Sequence, residues 1–407
     1  MRPRPVRLPF TIALFALAWF TSCREDDSEA LDLGSQDLGF ATDASFEPDG
    51  GAADAAVELD AAAELDGAVA PDSGSSVEAE IDAGVADLGS PPDDEILAFT
   101  DLLIPGHPHA IDLFVPSGAE RVIVFLHGGG GTKETAASRE SGVRLDDPAQ
   151  PTPVLDEAWM LANRTAWVFP QGQHLPGARL AKTWDNYMML SGADDVGFLN
   201  ALAAALRGGT LQASVPSFAR IYLAGHSNGG LMANRQWCES TSSYDGYGGV
   251  AGPPSTDLLP GGPHPCTPSA IRPFIGVIGS LDTVLQTSNN WDGDWAVNSC
   301  LQMAAGATMP NPNVANEEQF HRNFRVPQVC SSTAAAPLVT PQSTTWSDCD
   351  GRVKLIRVEG ADHCVSPTSS DLCVGGGQGG GCANALDVQL GTRIRDVLVE
   401  FFISTEP

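Results

Sequence analysis

The stretch Gly225-His226-Ser227-Asn228-Gly229-Gly230 constrains the fold of this chain more than any other segment. Ahead of it, Ile221-Tyr222-Leu223-Ala224 is apolar and β-prone. Behind it, Leu231-Met232-Ala233-Asn234-Arg235-Gln236-Trp237-Cys238 reads as a helix. A Gly-x-Ser-x-Gly between strand and helix forces a sharp turn, in which small neighbours let the backbone bend and leave Oγ exposed above a sheet. The start of the following helix offers backbone N–H groups to a developing oxyanion. In an isolated glycine-rich loop the serine would be incidental. With these flanks, Ser227 is a candidate nucleophile.

The apolar runs of residues 96–407 extend this strand-then-helix order. Residues 96–103 and 110–115 predict an opening hairpin around Pro105-Gly106. Residues 121–126 form a continuous apolar strand entering His127-Gly128-Gly129-Gly130-Gly131, and residues 166–169 another, ending at Pro170-Gln171-Gly172. Helical spacing covers residues 195–206, stopped by Gly208-Gly209, and residues 387–402 read as a closing amphipathic helix. Residues 219–224, 274–278 and 353–358 are further buried strands; the last two lead to Asp282 and His363. Short, nearly uninterrupted apolar strands separated by helices predict an α/β fold, with a mostly parallel sheet and helices on both faces. Ligands bind such sheets beyond the carboxyl ends of the strands. Four strands end there at His127, Ser227, Asp282 and His363. Residues 283–350 hold little strand signal and many Pro, Asn, Ser and Thr; they predict an irregular insertion stapled by Cys300, Cys330 and Cys349.

A serine hydroxyl needs a base, and the base an orienting carboxylate. The chain order Ser227, Asp282, His363 is the order of α/β-hydrolases. In that scheme Ser227 attacks a carbonyl, His363 carries the proton, and Asp282 holds the imidazole tautomer. The backbone N–H groups of Asn228 and Gly129 would hold the oxyanion. Other histidines fit less well. His226 adjoins the serine on a turn that points neighbours away from Oγ, His321 follows no strand, and His127 is placed to order its own glycine loop. His107, His109, His174 and His264 follow Pro/Gly-rich contexts that suggest the surface. Asp292, Asp294 and Asp362 compete with Asp282, which alone follows a buried strand directly. Trp184, with Asp185, is a candidate pocket residue or simply core. Gly128-Gly129-Gly130-Gly131-Thr132-Lys133 lacks the Gly-Lys-Thr order and glycine spacing of a phosphate loop. No metal or organic cofactor is required by this chemistry.

Charge separates the two ends of the chain. Residues 24–95 carry 22 Asp or Glu and one basic residue, a net −21, while residues 96–407 carry −11. The acidic tract, with Phe40 and Phe46 its only aromatics, cannot offset its ordering entropy by burial and predicts an extended linker. Its carboxylates never adopt the spacing of a calcium loop. No basic stripe exists, which argues against nucleic acid as a partner. Arg2, Arg4 and Arg7 precede an apolar run over residues 8–20 that ends at Thr21-Ser22-Cys23, the layout of an export signal. Cys23 resembles a bacterial lipoprotein cysteine, which predicts a membrane anchor, with ordinary signal cleavage and secretion as the alternative. The eight remaining cysteines suit disulfides in an exported chain, and none forms a Cys-x-x-Cys metal pair. Cys373 and Cys382 could close a small loop.

The chain resembles the exported poly(3-hydroxybutyrate) depolymerase and feruloyl/acetylxylan esterase-like group of α/β-hydrolases. The stretches that carry the resemblance are Val124-Phe125-Leu126-His127-Gly128-Gly129, Phe169-Pro170-Gln171-Gly172, Asp194-Asp195-Val196-Gly197-Phe198-Leu199 and the strand–turn–helix from Arg220 through Ala233. It covers roughly residues 97–402. It implies a serine esterase of short-chain or carbohydrate-linked esters, a polysaccharide or polyester as substrate, and an oxyanion donor at Gly129. The same triad also serves serine peptidases, and a surface-tethered binding protein without turnover is the non-enzymatic alternative. The segments around Asp282 (Gly279-Ser280-Leu281-Asp282-Thr283-Val284) and His363 (His363-Cys364-Val365-Ser366-Pro367) depart from the family's usual His-Gly-x-x-Asp-Val-Pro and Trp-Pro features.

Overall fold

Twelve strands occur in the computed structural model, which describes residues 95–147, 149–150, 152–173, 182–188, 191–282, 284–285, 316–368 and 382–406. All of these belong to one unit, residues 83–407. The export segment, Cys23 and nearly all of the acidic tract lie outside the described residues, as do Cys300, Cys373, His174, Asp292 and Asp294. In chain order the strands are β1 (Ile96–Leu102), β2 (Ile111–Pro116), β3 (Arg121–Leu126), β4 (Arg144–Leu145), β5 (Val154–Leu155), β6 (Thr165–Pro170), β7 (Arg220–His226), β8 (Gly246–Val250), β9 (Phe274–Gly279), β10 (Leu338–Val339), β11 (Ser343–Asp348) and β12 (Val353–Val358). Ten of them form one sheet in the order β1-β2-β6-β3-β7-β8-β9-β12-β11-β10. Strands β6 to β12 within that order are parallel, and both edges are antiparallel. This is the sheet of an α/β-hydrolase. Its parallel strands place their carboxyl ends along one edge, where a site must lie.

Side-chain alternation divides the core into two layers. Val122, Val124 and Leu126 of β3 face Phe198, Leu202 and Leu206 of helix Asp195–Gly208, and Met232 and Trp237 of helix Asn228–Glu239. Ile123 and Phe125 face the opposite way, with Met160 of helix Glu157–Asn163 and Leu398 and Phe402 of helix Ile394–Ser404. A strand buried on both sides needs the unbroken apolar runs seen in the sequence.

Three expectations need correction, and one strand has no counterpart in the sequence reading. The described part of residues 283–350 is not irregular. Residues 317–330 are helical with a π turn at His321–Arg325, and β10 and β11 extend the sheet. Strand β8 (Gly-Tyr-Gly-Gly-Val) is mostly glycine, a poor strand former, yet its glycines allow close packing: a Cβ on Gly248 would lie 3.2 Å from Leu398 Cδ2. The closing helix is split, because Gly391 at φ +70° ends the short helix Leu386–Leu390 before Ile394–Ser404 begins. Cys382 pairs with Cys364, not Cys373; the other described disulfides are Cys238–Cys266 and Cys330–Cys349, the latter stapling the insertion. These bridges fit an oxidising compartment. Among the described residues no helix is long and apolar enough to cross a membrane.

A buried charge cluster fastens the insertion to the sheet. Arg325, fully buried, donates to Glu317 and to the side-chain Oδ1 of Asn234, and its guanidinium lies 3.7 Å from the Phe274 ring centroid. Burial lowers the Arg325 pKa while Glu317 opposes the shift. Glu317→Ala would leave that cation unpaired in the interior. The expected loss is about 3–5 kcal/mol in urea unfolding of the oxidised protein.

Candidate active site

Ser227 sits between β7 and helix Asn228–Glu239 at φ +51°, ψ −118°, a conformation foreign to an ordinary L-residue. Its own N–H donates to Val250 O at 2.8 Å. The turn closes only because its neighbours are glycines. A Cβ on Gly225 would lie 2.5 Å from Gly229 C, and one on Gly229 would collide with the carbonyl of Leu126. The turn is thus wedged against the end of β3, beside the glycine loop.

Three of the four strand-end residues converge. His363 Nε2 lies 2.9 Å from Ser227 Oγ, and His363 Nδ1 lies 2.8 Å from Asp282 Oδ2. A carboxylate only accepts, so Nδ1 carries the proton and Nε2 presents its lone pair to the serine hydroxyl. Both His363 and Asp282 are 2% exposed. The second carboxylate oxygen of Asp282 accepts the N–H groups of Val284 (2.9 Å) and Leu285 (3.0 Å), which fixes its orientation. Asp362, beside the histidine, instead takes the N–H of Cys364 at 3.0 Å.

The fourth strand-end residue, His127, builds the loop that faces the serine. Its Nδ1 donates to Gly128 O at 2.7 Å, and its Nε2 accepts from Gly172 N (2.9 Å) and the Gln171 side-chain amide (2.8 Å). The ring is wholly buried, and desolvation lowers its pKa, with the Gly128 carbonyl partly opposing. It is held neutral in one tautomer. Three loop N–H groups are committed: Gly128 to Glu140, Gly130 to Lys182 O and Gly131 to Gly128 O. The N–H of Gly129 has no acceptor among the described residues. Gly128 O is pinned by His127 and Gly131, and a trans peptide points its C=O and N–H in opposite directions. The Gly129 N–H is therefore aimed away from the loop interior.

The residue after the serine locks the adjoining segment. Asn228 Oδ1 accepts the Trp184 N–H at 2.8 Å, its Nδ2 donates to Trp184 O at 3.3 Å, and Asn186 Nδ2 donates to Asn228 O at 3.0 Å. Trp184 is fully buried, its indole N–H on His127 O at 3.0 Å, so it packs the loop and presents no surface. Asp185 is tied to Arg235 at 2.9 Å. Asp195 is buried and collects His109 Nε2 (2.8 Å), the Ser191 hydroxyl (2.9 Å) and Asp185 N (2.6 Å). His109 is thus core, contrary to its Pro-rich context, whereas His264 stacks on Tyr187 at 4.1 Å between ring centroids and stays exposed. His321 pairs with Asp348 at 3.0 Å, and burial lowers its pKa to about 4. His226 turns from Oγ, as its position on the turn requires, and its Nε2 reaches His363 O at 3.0 Å. No motif in the sequence pointed to Glu140, which sits behind the glycine loop.

No family model matches the sequence, and no curated protein does. Among solved structures, an acetyl xylan esterase from Aspergillus awamori superposes with a TM-score of 0.43 at 13% identity, over 76% of this chain and all 100% of that one. A dienelactone hydrolase from Anabaena variabilis gives 0.38 at 14% identity, over 77% of this chain and 98% of that one. The strand order and the serine turn between β7 and its helix are those of the α/β-hydrolase fold.

Proposed function

We propose that the protein is an exported serine esterase that hydrolyses carboxylic esters through an acyl-enzyme. The observation that carries this reading is the continuous path from Ser227 Oγ through His363 to Asp282, at 2.9 and 2.8 Å, on a serine held in a strained turn. Ser227 Oγ attacks the ester carbonyl carbon as its proton passes to His363 Nε2. The resulting alkoxide accepts the N–H groups of Gly129 and Asn228. Collapse breaks the C–O bond, and His363 returns the proton to the departing alcohol. Water, deprotonated by the same imidazole, then releases the acid and restores Ser227.

The motif resemblance favours acetyl or feruloyl esters on carbohydrate, or short hydroxyalkanoate esters, as the substrate class. The leader and Cys23 favour a lipid-anchored protein facing the periplasm or cell surface.

The test is a panel assayed with the full chain in oxidised form. It comprises p-nitrophenyl acetate, acetylated xylan, feruloylated sugars, hydroxybutyrate oligomers and chromogenic peptides, with fluorophosphonate labelling alongside. Ester turnover and labelling of Ser227 are expected. Turnover of the peptides alone would convert the reading to a peptidase, and absence of labelling would leave a binding protein.

A further inference from the structure

The segment Lys182-Thr183-Trp184 is hydrogen-bonded both to the serine turn and to the glycine loop. On the turn, the Asn228 side chain pairs with the backbone of a single residue. Its Oδ1 accepts the Trp184 N–H at 2.8 Å, and its Nδ2 donates to Trp184 O at 3.3 Å. On the loop, the Trp184 indole N–H donates to His127 O at 3.0 Å, and Lys182 O accepts the Gly130 N–H at 2.8 Å. These two loop bonds flank one peptide. The His127 carbonyl belongs to the peptide before the one that carries the Gly129 N–H, and the Gly130 N–H to the peptide after it. The segment itself has little freedom. Trp184 and Asn228 are buried, and the Thr183 N–H donates to Gln173 O at 3.0 Å. Thr183 O packs so closely that a Cβ on Gly172 would stand 2.5 Å from it.

We propose that residues 182–184 form a clamp that sets the separation of the two oxyanion donors, the N–H groups of Gly129 and Asn228, with Trp184 and the Asn228 side chain as its positioning residues. The inference rests on the oxyanion reading above. The donors belong to different segments, the loop after β3 and the helix after β7, and they stabilise an oxyanion together only if both reach it at once. Four consecutive glycines give the loop no side chains with which to hold its own shape, so its backbone bonds must do so. Trp184 supplies the common reference, with its backbone on the turn and its indole on the loop. Asparagine suits position 228 because its amide offers an acceptor and a donor side by side, matching the N–H and C=O of one residue. A shift of about 1 Å in such groups costs on the order of 100-fold in rate.

Full-chain Asn228→Ala, Trp184→Phe and the double variant test the clamp. Trp184→Phe keeps an aromatic ring in the core and removes the indole N–H. With p-nitrophenyl acetate, each single variant is expected to lower kcat about 10- to 100-fold with KM within about 3-fold. Both break the same connection, so the double variant should lose no more than about 3-fold beyond the worse single one. Hydrogen exchange gives a readout that needs no turnover. Exchange in residues 127–131 should rise in Asn228→Ala as well as in Trp184→Phe, while helix Ile394–Ser404 stays at the parent rate. Losses that multiply in the double variant would overturn the clamp, as would single variants with kcat within about 2-fold of the parent. Exchange unchanged in residues 127–131 of Asn228→Ala would overturn it by showing no transmission through Trp184. Exchange raised equally in helix Ile394–Ser404 would overturn it by showing a loss of packing alone. If the parent turns over no ester, the esterase reading fails, and the exchange pattern still decides the clamp.

Discussion

Ser227→Ala is expected to lower p-nitrophenyl acetate turnover by on the order of 10⁴- to 10⁶-fold and to abolish fluorophosphonate labelling. The fold should survive the change. Alanine at φ +51° is no more strained than serine, and the hydroxyl's structural contact is the bond to His363 Nε2 at 2.9 Å. Residual activity over water would come from binding and the proposed oxyanion donors, since Gly129 and Asn228 would act through backbone N–H groups that the substitution leaves in place. The measurement is kcat of the full chain beside its thermal midpoint. Activity within about 10-fold of the parent, in a protein of unchanged midpoint, would remove Ser227 from the mechanism.

Asp282→Asn should cost nearly as much, about 10⁴-fold in kcat, through the tautomer of His363. The N–H groups of Val284 and Leu285 require an acceptor at the position of Asp282 Oδ1, at 2.9 and 3.0 Å. An asparagine satisfies them by placing its carbonyl oxygen there, which turns its NH₂ toward His363 Nδ1. The imidazole then accepts at Nδ1 and carries its proton on Nε2, where it can no longer take the proton of Ser227. Asp282→Ala removes the carboxylate without imposing the wrong tautomer, but it also leaves two N–H groups beside a buried turn without their acceptor. It should therefore show the lower thermal midpoint of the two. Nitrogen NMR of the imidazole distinguishes the tautomers. A protonated Nδ1 in the asparagine variant, with kcat near that of the parent, would contradict the assignment.

Strands whose side chains are buried on both faces were legible, because such burial demands continuous apolar runs. β3, β6 and β9 are of this kind, while β12 interrupts its apolar run with the half-buried Lys354 and Arg357. β8 was not legible, since glycine has no side chain to signal a strand, yet it is the missing Cβ of Gly248 that lets Leu398 approach. β11 alternates buried and half-exposed residues, a period hidden within a polar, proline-rich stretch. His109 shows the same limit. Its local context reads as surface, while its partner Asp195 lies 86 positions away.

By itself the sequence determined the serine turn, its order relative to Asp282 and His363, and the parallel sheet beneath them. Each depends on local stereochemistry: glycines at a sharp bend, β-branched runs, and strand ends at one edge. Tertiary structure alone decided which way the Gly129 N–H points, that Glu140 takes the Gly128 N–H, and that His226 Nε2 meets the His363 carbonyl. Those outcomes arise from contacts spanning 12 to 137 positions, and no local pattern records them. The physical reason is that a hydrogen bond's direction is set by both partners, and folding brings those partners together.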